Sequence, residues 1–133
     1  MKLQKLCPIL WTKNLQETIS FYTDALEFTS RSNFPNFASL SRDSIEIMMI
    51  EPTEEPDDCK EPGNQEPFFQ KSNLTGSIFI FTDQVDELWE KVKDKAVIKS
   101  AIANREYQVR DFSILDNNGY ELLSGQDIST DGI

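Results

Sequence analysis

The sequence predicts an α+β fold of two tandem βαβββ modules. Three observations carry that expectation: an internal repeat, an amphipathic helical stripe in each copy, and a strand hairpin behind each stripe. The repeat has an offset of seventy residues. CPILWTKNLQETISFYTDALEF laid over SIFIFTDQVDELWEKVKDKAVI aligns Thr12 with Thr82, Leu15 with Val85, Tyr22 with Val92 and Phe28 with Ile98 without a gap. Self-similarity at a fixed offset marks a duplicated structural unit.

Each copy reads strand, turn, helix, strand. In the first, Leu15, Ile19, Tyr22 and Leu26 recur at helical spacing, and Asn14 with Glu17 three residues later forms a capping box, so a helix is expected over about residues 15–26. In the second, Val85, Leu88, Val92 and Ala96 repeat the stripe, with Asp83 or Gln84 at the cap position, which predicts a helix over about residues 84–95. Behind the first helix, FASLS and SIEIMMIE flank the polar turn Arg42, Asp43, Ser44 and read as a hairpin. Behind the second, QVRDFSIL and YELLSG flank Asp116, Asn117, Asn118 and Gly119, a strong turn signal.

The 133 residues are expected to form one domain: module one over about 1–51, an acidic loop over about 52–75, module two over about 76–126 and a tail over 127–133. The loop EPTEEPDDCKEPGNQEPFFQKSNL holds four prolines after Glu51 and seven carboxylates, a composition that supports no regular element. A segment of this kind is either a lid or a solvated linker, and the adjacent Phe68 and Phe69 incline the reading to a lid.

The formal net charge of −10 excludes the Lys/Arg clusters from which nucleic-acid binding draws its affinity, and disfavours anionic membranes. No stretch approaches the roughly 20 apolar residues of a membrane span, and MKLQKLCPIL is too short in apolar residues for a signal peptide, so a cytoplasmic protein is expected. Cys7 and Cys59 are far apart in unlike contexts and read as free thiols. No Gly-rich phosphate loop, GxSxG motif or Cys/His pair is present, and there is no histidine at all.

Two segments carry a family resemblance. PILWTKNLQETISFYTDALEF is similar to the opening of the vicinal oxygen chelate superfamily, which includes glyoxalase I, extradiol dioxygenases and the bleomycin-resistance proteins. There Pro, an apolar strand, an acidic or amide cap and helical Phe-Tyr precede Leu-Gly-Phe, and Glu27 stands here in place of the Gly. YQVRDFSILDNNGYELLSGQ resembles the family's Trp-Gly-x-Arg-x-Phe, Asp-Pro-Asp-Gly and final apolar strand. Tyr107 occupies the Trp position, Gln108 the Gly, and Arg110 and Phe112 match. The resemblance implies a cup-shaped sheet around a small-molecule site and pairing of chains as a two-fold homodimer.

Metal-dependent members carry one ligand on the first and one on the last strand of each module. The resemblance puts these on Cys7, Glu46, Ser77 and Leu123. A catalytic divalent site needs at least three N, O or S ligands and an open position, which this set does not supply, so no metal and no other cofactor is expected. Glu46 read without the resemblance is an exposed strand carboxylate. If those four positions face the cavity, so do Ile9, Trp11, Phe79, Phe81, Met48, Ile50 and Glu121, while Leu6, Leu10, Ile78, Ile80, Ile45, Ile47, Met49, Tyr120 and Leu122 pack under the helices.

That cavity face is aromatic and apolar with two carboxylates, either an open pocket or a filled core. As a pocket it suits a cationic or aromatic compound, the pattern of the metal-free bleomycin-resistance-like branch, sequestered without chemistry. The candidate ligand-binding residues are Trp11, Glu46, Met48, Phe79, Phe81, Tyr107, Arg110, Glu121 and Leu123, and no catalytic residue is assigned. Tyr107 and Arg110 either reach the pocket mouth or brace their hairpin. Trp89 is expected in packing or a dimer surface. The alternative function is a metal-independent or vestigial lyase or isomerase with Glu46 or Glu121 as base.

Overall fold

The computed structural model describes residues 1–31, 35–52, 74 and 76–129. The acidic loop beyond Pro52, with Cys59, Phe68 and Phe69, and the end of the tail lie outside the described residues, so the lid reading does too. The chain divides into two compact units, residues 1–72 and 73–133.

In the first unit the order is β1 (Ile9–Trp11), α1 (Leu15–Ala25), β2 (Thr29–Arg31), β3 (Phe37–Arg42) and β4 (Ile45–Ile50). These strands form a sheet in the order β1-β4-β3-β2, with β1 parallel to β4 and the other pairs antiparallel. The second unit repeats the plan with β5 (Ile78–Phe81), α2 (Val85–Val92), β6 (Val97–Asn104), β7 (Val109–Leu115) and β8 (Glu121–Asp127), in the order β5-β8-β7-β6. The expected doubled βαβββ is therefore observed. The α2 helix ends at Val92, short of the expected 95, and Lys93 N–H bonds Trp89 O as it closes.

Helix α1 starts where its cap dictates: the Asn14 side chain accepts the Glu17 N–H at 3.0 Å. The expected capping box is only half formed, because Asn14 N–H goes to Thr12 Oγ1 at 3.2 Å. The equivalent bond, Gln84 N–H to Thr82 Oγ1 at 3.2 Å, recurs in the second unit, where the Gln84 side chain caps nothing. Thr12 and Thr82, aligned by the repeat, thus shape both strand-to-helix turns.

Alternation along the strands divides each sheet into two faces. In the first unit Leu10, Ala38, Leu40, Ile47 and Met49 are buried with Leu15, Tyr22 and Ala25 of α1. Tyr22 stacks edge-on with Phe28 at 5.5 Å between centroids. In the second unit Phe112, Ile114 and Leu122 are buried with Val85 and Val92, and Trp89 packs on Phe112 at 5.2 Å, which places that tryptophan in the core packing of its unit. Leu6 departs from the expected helix-covered set and is exposed, because it precedes β1 and lies beyond the reach of α1.

The two residues that the resemblance sets at glycine positions take left-handed backbone, Glu27 with φ 59° and Gln108 with φ 64°. Both turns keep the conformation that favours Gly without having Gly.

Candidate functional site

Opposite α1, the first sheet presents a face built in rows by its ladders. Trp11, Ile50 and Phe37 form one row; Ile9, Met48, Ser39 and Arg31 the next; Glu46, Ser41 and Thr29 the third. The first row is wholly apolar, yet its Trp11 is 44% exposed, and Ile9 beside it in the second row is 55% exposed. The water-facing side of an antiparallel sheet ordinarily carries polar side chains, so half-exposed aromatic and aliphatic groups here need a reason.

Glu46 closes this face with two partners, the Lys5 ammonium and the Ser39 hydroxyl, both donating to its carboxylate. These two bonds, with Arg31 adding its charge, hold the Glu46 carboxyl below the ordinary glutamate range. A general base at neutral pH needs a carboxyl raised toward 7, so this environment is tuned away from that role. Nor is the Glu46 carboxylate waiting for a cationic ligand, since Lys5 already neutralises it.

The second sheet also leaves one face free of its helix. Phe79 and Phe81 lie 4.7 Å apart between centroids on it, with Phe81 68% exposed. Leu123 sits directly opposite Phe79, and Glu121, two residues earlier on the same face, takes Lys99 Nζ at 3.1 Å. Gly125 lies under the Phe79 ring: a Cβ there would come within 2.6 Å of Phe79 Cζ, 2.9 Å of Val109 Cγ1 and 3.0 Å of Asp111 Cβ. Asp111, fully buried, accepts from Arg105 Nε and from the Tyr107 hydroxyl, each at 2.8 Å. Tyr107 thereby braces the turn that joins β6 to β7, and its own hydroxyl proton is held tighter by the Asp111 bond.

Arg110 belongs to the other face. Adjacent to Asp111 and two residues before Phe112, it points to the helix side and grips Asp86 of α2 at 2.8 Å through Nη2 and 3.1 Å through Nε. It ties α2 to β7, away from the open face. The structure thus gathers Trp11, Glu46 and Met48 on the first unit's open face and Phe79, Phe81, Glu121 and Leu123 on the second's, and sets Arg110 apart. Lys5, Arg31, Phe37 and Ser39 share the first face and were not among the candidates. Only Phe37 and Ser39 had a signal, the period-two alternation of FASLS.

The ladders also revise the ligand positions. Ile9 lies opposite Met48 and Phe79 opposite Leu123, so the counterpart of Leu123 is Met48, and Glu46 corresponds to Glu121. The seventy-residue offset of the first strands becomes seventy-five in the last, because the second unit spends more residues on its long, bulged β6. With Leu123 kept as the last-strand position that the resemblance assigns to the second unit, its counterpart in the first is Met48 rather than Glu46, and the set reads Cys7, Met48, Ser77 and Leu123. Burial raises the Cys7 thiol's pKa, and its Sγ–H is turned to the Glu46 carbonyl at 3.5 Å. A protonated thiol, a thioether, a hydroxyl and an aliphatic chain do not fit a catalytic divalent ion. Among the described residues no group of three His, Cys, Asp or Glu is placed to hold one. No helix among them is long and apolar enough to cross a membrane.

Comparison with known proteins accords with this geometry. The profile of the Glyoxalase/Bleomycin resistance protein/Dioxygenase superfamily matches residues 5–123. No curated protein matches the sequence. Among solved structures, a protein of unknown function from Agrobacterium tumefaciens str. C58 superposes with a TM-score of 0.72 at 13% identity, covering 95% of each chain. TioX from Micromonospora sp. ML1 gives 0.71 at 13% identity over 93% of this chain and 98% of its own. A Vibrio cholerae integron cassette protein gives 0.68 at 20% identity over 95% and 97%. At these identities the likeness is one of fold.

Proposed function

The chain belongs to the glyoxalase/bleomycin resistance protein/dioxygenase superfamily, and from that premise we propose that it is a small-molecule-binding protein that holds an aromatic or amphipathic compound on an open sheet face without a metal ion. The observation that carries the reading is the row Trp11, Ile50, Phe37 with Ile9 and Met48 beside it, an apolar surface on the helix-free side of the sheet on which Trp11 and Ile9 are about half exposed. Contiguous apolar surface of this kind, rimmed by polar groups, is the ordinary signature of a ligand site. Sequestration in the manner of the bleomycin-resistance-like branch fits a donor set unsuited to metal chemistry and a Glu46 tuned away from general-base work. The functional form is a homodimer, in which a second copy covers the exposed strand edges.

The test uses Trp11. Planar aromatic compounds should quench its fluorescence saturably, and a ligand at 100 times its dissociation constant should raise stability by about 2.7 kcal/mol. Trp11→Ala should remove that gain while costing the free protein well under the roughly 3–5 kcal/mol of a fully buried tryptophan. A panel of aromatic compounds that changes neither fluorescence nor melting temperature would overturn the proposal.

A further inference from the structure

The open face of the first sheet changes character from row to row. It begins wholly apolar at Trp11, Ile50 and Phe37, and its second row ends in Ser39 and Arg31. Beside that end, Glu46 meets Lys5 on one carboxylate oxygen and Ser39 on the other. We propose that this face recognises an amphipathic anion: a flat apolar body lies on Trp11, Ile9 and Met48, and a carboxylate headgroup is received by the Arg31 guanidinium and the Lys5 ammonium.

The charges that meet at this end decide the sign. Among the described residues, two cations, Lys5 and Arg31, act on the single Glu46 carboxylate, an excess of one positive charge at this end of the face on a chain whose net charge is −10. The Arg31 side chain forms no ion pair or hydrogen bond among the described residues, although its charge acts on Glu46. Its planar fork of donors matches a carboxylate in two parallel bonds, which an ammonium does not. Lys5 is the more exposed half of its pair, 65% against 18% for Glu46, which leaves its ammonium open to an incoming anion while Ser39 keeps Glu46 bonded. A cationic ligand would instead have to displace Lys5 and sit beside Arg31. On the second unit's open face Lys99 is paired with Glu121 and Arg105 with Asp111.

This inference rests on the reading of the face as a small-molecule site, and one experiment separates the two. Three probes share one ring system and differ in the head: 2-naphthoate, 2-naphthylmethanol and 2-naphthylmethylammonium. Each is titrated against the full chain carrying Trp89→Phe, so that Trp11 alone reports. The carboxylate should bind roughly three- to tenfold tighter than the alcohol, the range of one exposed charge-assisted contact, and the ammonium should bind weakest. Arg31→Gln and Lys5→Gln should each erase most of the carboxylate's advantage without changing alcohol binding. Glu46→Gln should tighten the carboxylate by removing the one opposing charge. Equal affinity for the three probes, or preference for the ammonium, overturns the anion assignment and leaves the small-molecule site standing. Failure of all three to quench Trp11 overturns both.

Discussion

The Gln126 side-chain carbonyl accepts the backbone N–H of Val85 at 3.0 Å, which joins the last strand of the second unit to the first turn of its helix. Glu51 does the same for Leu15 at 3.3 Å in the first unit. Helix α2 has no cap from Gln84, so Gln126 stands in for one. Helix α1 has both, since Asn14 also bonds the Glu17 amide. Gln126→Ala should therefore cost about 1 kcal/mol, the usual worth of a lost N-cap, and Glu51→Ala less. Chemical denaturation measures the difference, and hydrogen exchange should quicken at Val85 before any amide of α1.

Glu27 and Gln108 hold left-handed backbone at φ 59° and 64°, a region that favours Gly. An L side chain in that region costs about 1–2 kcal/mol, of which the greater freedom of an unfolded glycine returns roughly 0.4–1 kcal/mol. Glu27→Gly and Gln108→Gly should each stabilise the chain by about 0.5–1 kcal/mol. The Arg42–Glu27 pair at 3.6 Å is partly exposed and subtracts little, because Arg42 keeps its bond to the Leu26 carbonyl. A fall in melting temperature for both variants would contradict the strain argument.

Gly125 behaves oppositely, since its place is fixed by closeness rather than by φ. A Cβ there meets Phe79 Cζ at 2.6 Å and the Asp111 Cβ at 3.0 Å. The ring can swing outward, but Asp111 is pinned by Arg105 and Tyr107. Gly125→Ala should cost roughly 1–3 kcal/mol, as overpacking does. It should also shift the ring resonances of Phe79, which would stay in place if the neighbours absorbed the methyl without strain.

The fold was legible because the repeat and the helical stripes are local signals that tertiary packing reinforces. The faces of β1, β4 and β5 follow from alternation once Cys7, Glu46 and Ser77 are set toward the cavity. The strand around Arg110 is not legible for a physical reason: Val109 and Leu115 compete with Phe112 and Ile114 for the core, and the contacts of Phe112 with Trp89 and of Arg110 with Asp86 decide which side meets the helix. Lys5 precedes every regular element, and what brings it to Glu46 is the path of residues 5–8 alongside β4, where Met48 N–H bonds the Pro8 carbonyl. The shift of register from Glu46 to Met48 arose from unequal lengths between helix and hairpin, which the gap-free repeat does not cover.

The Lys5–Glu46 contact makes a prediction with a definite sign. In the folded chain the Glu46 carboxyl titrates below its ordinary value, first because Lys5 and then because Ser39 donate to the ionised form. A group whose folded pKa is depressed contributes stability above its unfolded pKa, about 4.3, and loses that contribution as pH falls through the lower folded value. Carbon-detected NMR of the side-chain carboxyl should therefore show Glu46 titrating below the free-glutamate midpoint. Lys5→Ala should move it up only part of the way, because Ser39 and Arg31 remain. The Glu46→Gln protein should lose less stability than the parent between pH 5 and pH 3, since it has no carboxylate to protonate there. If Lys5→Ala leaves the Glu46 midpoint where it was, the ammonium does not hold this carboxylate in solution. The cation excess on the face would then have to come from Arg31 alone.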